Sequence, residues 1–383
     1  MPSQPVTAYL DHAATTPLRP EARAAMAPWL GERFGNPSGA HGVARAARQA
    51  IDEARDTIAG LLGCAPNEVV FTGGGTEADN LAVLGTHAAR PGTVLASAVE
   101  HHAVLEPVEL VGGSTVPVDG RGVVDLSALS AALKAHGDVT LVTVMTANNE
   151  VGAVQPVAEM ARLAHKHGAA VHTDAVQAAV WLDIGTVSAS ADLVAVSSHK
   201  FGGPQGVGVL VARKGTPLHP RQVGGGQERE LRSGTHNVAG IVGMAAALAA
   251  KAAAREEEAA RVGALRDRLA KGLLSEIPDA VETAAPDGDR SHLLPGTLHL
   301  TIPGAESEAL LFLLDEAGIC ASAASACASG AQEASHVLAA MGTPLAATAG
   351  ALRLTLGWTS TDAEVDRVLD VLPAVVARLR GAR

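Results

Sequence analysis

The chain is short of several features that would point to a special environment. Aromatic residues occupy only 2% of its 383 positions, so alanine, valine and leucine must fill the core. It has three cysteines and no CxxC pair, which indicates neither a disulfide-stapled secreted scaffold nor a zinc site. Positive charge is scarce too: the formal net charge is −11, and no lysine/arginine run reaches patch length. Direct nucleic-acid binding, which draws on counterion release, is therefore not expected. The N-terminal stretch "MPSQPVTAYLDHAATTP" lacks a basic segment followed by an apolar one, so no secretion signal is expected. The most apolar window, "VAGIVGMAAALAAKAAA" (residues 238–254), is cut by glycine and ends in charge. It reads as short of the roughly 20 apolar residues of a membrane span. A cytoplasmic protein without membrane contact is the expectation.

What the chain does contain is enough material for a large core. Hydrophobic residues make up 47% and charged residues 18%, and the length suggests about two domains. Short β-branched runs at residues 68–72, 93–97, 139–145, 169–174 and 192–198 alternate with alanine-rich helical stretches such as 157–167. Uninterrupted apolar strands separated by helices imply a mostly parallel sheet covered on both faces. After about residue 240 a long helix with charges on one face looks like a connector. Beyond it "GTLHLTIP", "LLFLLDEAG" and "LRLTLG" mix strand and helix as a smaller α+β domain.

Several strand ends carry chemistry. "VVFTGGGTEADN" sets three glycines and Thr76 between a strand and a helix, an arrangement that turns backbone N–H groups toward an anion such as phosphate. An ordinary turn is the competing reading. "HTDAVQAA" puts Asp174 at a strand's C-terminal end, where open α/β sheets keep their ligands, with Gln177 three residues on. A helix-capping aspartate would look the same. In "VSSHKFGGPQGVG" a strand leads into His199 and Lys200. An amine able to form a Schiff base and a carboxylate able to keep a pyridinium protonated are what a pyridoxal phosphate enzyme needs. His101 in "VEHHAVL" could lie on such a ring and pass protons; a metal set of His101, Asp174 and His199 competes, but no metal-type spacing supports it. Asn149 in "ANNEVG" could orient a planar cofactor or sit in an Asx turn. Arg353, inside a strand, needs a partner, which a substrate carboxylate or a structural ion pair would each supply.

Together these segments resemble the NifS/IscS-type cysteine desulfurases, in the class V aminotransferase group of pyridoxal phosphate enzymes. "YLDHAATTP", "FGNPSGAH", "FTGGGTEADNLA", "EHHAVL", "ANNEVGAVQP", "HTDAVQA", "SSHKFGGPQGVG", "GGGQERELRSGT", "LPGTLHL", "SACASG" and "LRLTLG" occur in the family's order, from Tyr9 to about Gly357. The resemblance implies the fold type I architecture: a large cofactor domain (17–255) with a seven-stranded, mostly parallel sheet, and a small domain (1–16 and 256–383). It implies that Lys200 carries the cofactor, Asp174 pairs with its ring nitrogen, Gln177 with its phenolic oxygen, and His101 stacks on the ring. Gly75, Thr76, Ser197 and His199 would hold the phosphate, and Thr235 would reach the phosphate site of a second subunit in a homodimer. Asn149 and Arg353 would bind the substrate carboxylate. Cys327, in the small-residue segment "SAASACASGA", matches the sulfur-accepting nucleophile of the branch with a long cysteine loop. His12 in "DHAATTP" and His236 in "RSGTHNV" stand where the family more often has asparagine and glutamate.

The activity so implied is removal of sulfur from L-cysteine, giving L-alanine and a persulfide on Cys327 for transfer to an acceptor protein. Iron–sulfur assembly, tRNA thiolation and DNA phosphorothioation are the possible destinations. A free thiol is mostly protonated at neutral pH, and His101 is expected to take its proton. Cys64 and Cys320 read as packing residues. Another class V enzyme, an aminotransferase or selenocysteine lyase, would share most of the motifs, and a non-enzymatic phosphate-binding scaffold would need none of the cysteine chemistry.

Overall fold

The computed structural model of the protein describes residues 7–323 and 335–381. Its centre is a seven-stranded sheet. The strands Val69–Thr72, Gly208–Ala212, Leu193–Ser197, Ala170–Asp174, Val139–Thr143, Thr93–Ser97 and Ser114–Val116 lie side by side in that order. All neighbours pair in parallel except Gly208–Ala212, which is antiparallel to both of its partners. The five apolar runs read from the sequence are all strands here, each ending within two residues of the expected bound. Val69–Thr72, Val139–Thr143 and Leu193–Ser197 are buried at every position, as expected for strands covered on both faces.

A second, three-stranded antiparallel sheet is built from Ala351–Thr355, Thr297–Thr301 and Val281–Glu282. The N-terminal end of the chain joins this part of the molecule. Ala8–Tyr9 pairs in parallel with Ile319–Cys320, and Asp11 bridges to Thr355. The expected boundary at 255/256 falls inside one uninterrupted helix, Val238–Glu276. That helix corrects one expectation, because it is long and apolar enough by length and composition to cross a membrane. Half of its most apolar window is buried, and it packs on the helices Pro20–Met26 and Gly42–Leu61. Alanine and glycine on its first turns permit that close approach; a Cβ on Gly243 would lie 2.5 Å from Met26.

The same helix carries a buried ionic junction. Glu258 accepts from Arg19 Nη2 (2.6 and 2.9 Å) and from Lys251 Nζ (2.5 Å). Arg19 lies over the Trp358 ring and Lys251 over the Trp181 ring. Charges removed from water this way hold only when fully paired. This junction ties the chain before the first helix, the long helix and the segment after Ala351–Thr355 together beneath the site.

Candidate active site

The C-terminal ends of the parallel strands open onto a cavity of 380 Å³, in the size range of small-ligand sites. Gly75, Thr76, His101, Asn149, Asp174, Gln177, Ser197, His199, Lys200 and Arg353 all line it. Thr235 does not: it is exposed on the segment before the long helix. Cys327 lies outside the described residues.

At one end of the cavity the strand Val69–Thr72 turns through Gly73 and Gly74 into the helix Gly75–Ala89. Gly74 has φ 153° and supplies no side-chain cap, so the first N–H groups of the helix remain available to an anion. The turn sits where it does because Gly208 of the neighbouring strand touches it. A Cβ at position 208 would lie 2.6 Å from the Gly74 backbone. Thr76, Ser197 and His199 border the same end. The His199 ring, paired through Nδ1 with Thr15 Oγ1 at 3.1 Å, is pushed down to about 4 by burial and by Lys200, so it is neutral.

In the middle, Asp174 is buried at the end of its strand and accepts from the Val176 N–H at 2.8 Å. Burial is the largest influence on its carboxyl, which is pushed up to about 7; an ionised Asp79 would add to the rise, against the pull of the Val176 N–H, His172 and Lys200. A cationic partner would restore the anion. Lys200 Nζ donates to the carbonyls of Ala13 (2.6 Å) and Ala14 (2.8 Å), and Gln177 Nε2 also donates to Ala13 O. The N-terminal strap thus forms one wall of the site.

His101 caps the helix His102–Leu110, its Nδ1 accepting from Ala103 N at 3.1 Å. Burial, then the neighbouring Lys200, His102 and His336, lower its pKa to about 4. The neutral ring therefore carries its proton on Nε2. In this state the ring lines the cavity as a neutral imidazole.

Arg353 has the structural partners that were one of its two readings. Its Nη2 donates to Asp11 Oδ1 and its Nη1 to Asn149 O, each at 2.9 Å. Its buried Nε has no hydrogen-bond partner among the described residues.

The family profile described as aminotransferase class-V matches residues 8–368. An IscS-like cysteine desulfurase of Mycobacterium tuberculosis (strain ATCC 25618 / H37Rv) is 47% identical over 98% of both chains. A solved NifS-like protein superposes with a TM-score of 0.89 at 35% identity, over 97% of this chain and all of that one. DndA from Streptomyces lividans superposes with a TM-score of 0.74 at 33% identity, over 91% of this chain and 99% of that one. The chain belongs to the cysteine desulfurases of the class-V aminotransferase family.

The desulfurase uses pyridoxal phosphate, and its cavity suits that group. An uncapped helix N-terminus with adjacent hydroxyls matches the phosphate, and a buried carboxyl matches a protonated ring nitrogen. An amine between them matches the carbonyl carbon. Among the described residues no cluster of metal-ligating side chains competes with this reading. The fold is the expected type I architecture. Neither described cysteine is poised for reaction. Burial pushes the Cys64 thiol up to about 11, and Cys320, half-buried, is also raised, chiefly by burial.

Sequence reasoning missed Asp11, Ala13, Ala14, Asp79, Met145 and Ser322 of the desulfurase cavity. Asp79 was the legible one, a carboxylate three residues after Thr76 on the same helical face. The strap carbonyls have no side-chain signature. His12 is buried against Gly357, and His236 Nε2 donates to Glu228 Oε1 at 2.7 Å; neither ring lines the cavity.

Proposed function

We propose that this cysteine desulfurase moves the sulfur of L-cysteine onto Cys327, releases L-alanine, and passes the sulfur as a persulfide to an acceptor protein. The thiol and L-cysteine together contain every atom of the persulfide and alanine, so no outside oxidant or reductant enters. The observation that carries the reading is the convergence of Lys200, Asp174, His101 and Arg353 on one cavity.

When bound, pyridoxal phosphate supplies the electron sink for bond breaking at the substrate. Thr76, Ser197, His199 and the N-terminus of the helix Gly75–Ala89 hold its phosphate. Asp174 holds a proton at the ring nitrogen. Lys200 Nζ anchors the cofactor and afterwards moves the substrate Cα proton. Arg353, whose side chain lines the cavity, orients the substrate carboxylate, with Asn149 beside it. His101, neutral, takes the proton of the Cys327 thiol on a ring nitrogen left bare by tautomer exchange, giving an imidazolium and a thiolate. Thr235, exposed and outside the cavity, serves a second copy of the chain in a homodimer.

The acidic surface supports delivery to a protein. The higher identity to the IscS-like relative than to DndA supports iron–sulfur assembly as the destination, in the reducing cytoplasm where a persulfide-forming thiol survives. Single-turnover reaction with L-cysteine tests the chemistry. Cys327→Ser should keep the cofactor's visible absorbance and lose the protein persulfide, while Lys200→Ala should lose the covalently held band. Persulfide formation undiminished in Cys327→Ser would overturn the assignment. Capture of the labelled acceptor identifies the pathway: a tRNA-thiolating or phosphorothioation enzyme would replace iron–sulfur assembly.

A further inference from the structure

Beneath Asp174 lies a second pair of buried titratable side chains to which the reaction described above gives no role. Asp79 projects from the helix Gly75–Ala89 into the floor of the cavity, and His172 stands two residues before Asp174 on the same strand. Both are essentially inaccessible to solvent. Asp79 Oδ1 and His172 Nε2 are 3.4 Å apart, and each is a buried polar atom without a hydrogen-bond partner among the described residues. The other ring nitrogen, Nδ1, is engaged with Thr143 Oγ1 at 2.8 Å. Buried polar atoms are normally paired, and one proton placed between these two would satisfy both.

We infer that Asp79 is a positioning residue of the cofactor site: it carries the one proton shared with His172, and the resulting neutral pair leaves Asp174 as the single anion facing the ring nitrogen. The inference rests on the pyridoxal phosphate reading of the cavity. Two carboxylates facing one buried floor cannot both ionise without strong repulsion, so their roles separate. The proton belongs on Asp79 because burial raises its carboxyl well above the ordinary range and lowers His172 to about 4, both away from an ion pair. The chain of donors then runs from the Asp79 O–H to His172 Nε2 and from His172 Nδ1–H to Thr143 Oγ1. The other titratable groups around Asp79 are Asp174 from the same strand as His172, Glu100 and His101 from the segment after Thr93–Ser97, and His199 and Lys200 after Leu193–Ser197. Glu100 is itself buried, is raised by burial, and accepts from Met145 N.

Two variants and two readouts test this. Asp79→Asn is a neutral isostere that still donates a hydrogen bond, whereas Asp79→Leu is neutral but cannot. In the apoprotein, a carboxyl protonated when folded and ionised when unfolded costs stability as pH rises above the ordinary aspartate pKa of about 4. The melting temperature of Asp79→Asn relative to wild type should therefore increase from pH 5 to pH 8. In the holoenzyme, Asp79→Asn should keep the pH midpoint of the cofactor's visible band. Asp79→Leu should shift it and weaken cofactor binding about tenfold. An ionised Asp79 predicts the opposite pattern: an Asp79→Asn deficit at every pH and a lowered band midpoint, which would overturn the inference. It is equally overturned if Asp79→Asn fails to fold, or if Asp79→Leu matches wild type in both readouts. Failure of the cofactor reading is recognised separately, because wild-type protein would then show no visible band removable by Lys200→Ala.

Discussion

Glu228 offers the sharpest test of how the segment before the long helix is held. Glu228, Arg229 and Glu230 have φ of 48°, 57° and 67°, three consecutive non-glycine residues in the left-handed region. Each such residue costs about 1–2 kcal/mol. What offsets that cost is the buried Glu228 carboxylate, which accepts from Arg55 Nη1 and Nη2, from Phe71 N and from the His236 ring, at 2.7–2.9 Å. Burial works to raise its pKa, but the bonds from Arg55 and His236 outweigh it and hold the carboxyl down to about 2, against an ordinary 4.5. A depressed folded pKa contributes stability that is present above the unfolded value and lost as pH falls through the folded one. The shift corresponds to about 3 kcal/mol at pH 7, falling to about 2 kcal/mol at pH 3.5. Glu228→Gln should therefore melt well below wild type at pH 7, with the gap narrowing by roughly a third at pH 3.5. Other carboxylates titrate in both proteins and cancel in the difference. A gap that is absent at pH 7, or that widens in acid, would refute the argument. As a companion, Glu230→Gly relieves one strained residue without touching the anchor and should raise the apoprotein's melting temperature.

Two further outcomes follow from packing and burial. Gly208→Ala places a methyl group 2.6 Å from the Gly74 backbone, which cannot swing aside as a side chain would. It should displace the phosphate turn, cost about 1–3 kcal/mol of stability, and weaken pyridoxal phosphate binding measured by titration of the apoprotein. Because the Cys64 thiol is pushed up to about 11, iodoacetamide at pH 7 should leave Cys64 unmodified in native protein, with labelling rising only in strongly alkaline solution; peptide mass mapping reads this directly.

The motifs around Lys200, Asp174 and the glycine turn were readable because each joins a strand end to a particular chemical group. A strand of fixed length and a turn of fixed glycines leave few places for the next side chain to go. The strands themselves were equally legible, since a run buried on both faces must be apolar throughout. Arg353 shows where such reading stops. Its type and strand position required a partner, but only the meeting of Asp11, Asn149 and residue 353 decided that Nη1 and Nη2 are engaged and Nε is left over. His101 shows the same limit: the sequence placed an imidazole at the site, while the capped Ala103 N–H decided which nitrogen holds the proton. The strap carbonyls of Ala13 and Ala14, and the approach of Asp79 to His172, come from segments far apart in the chain. Local pattern encodes which groups a chain can offer, whereas hydrogen-bond partners and burial depend on distant segments meeting. The protonation states on which the chemistry turns were therefore set by the tertiary fold alone.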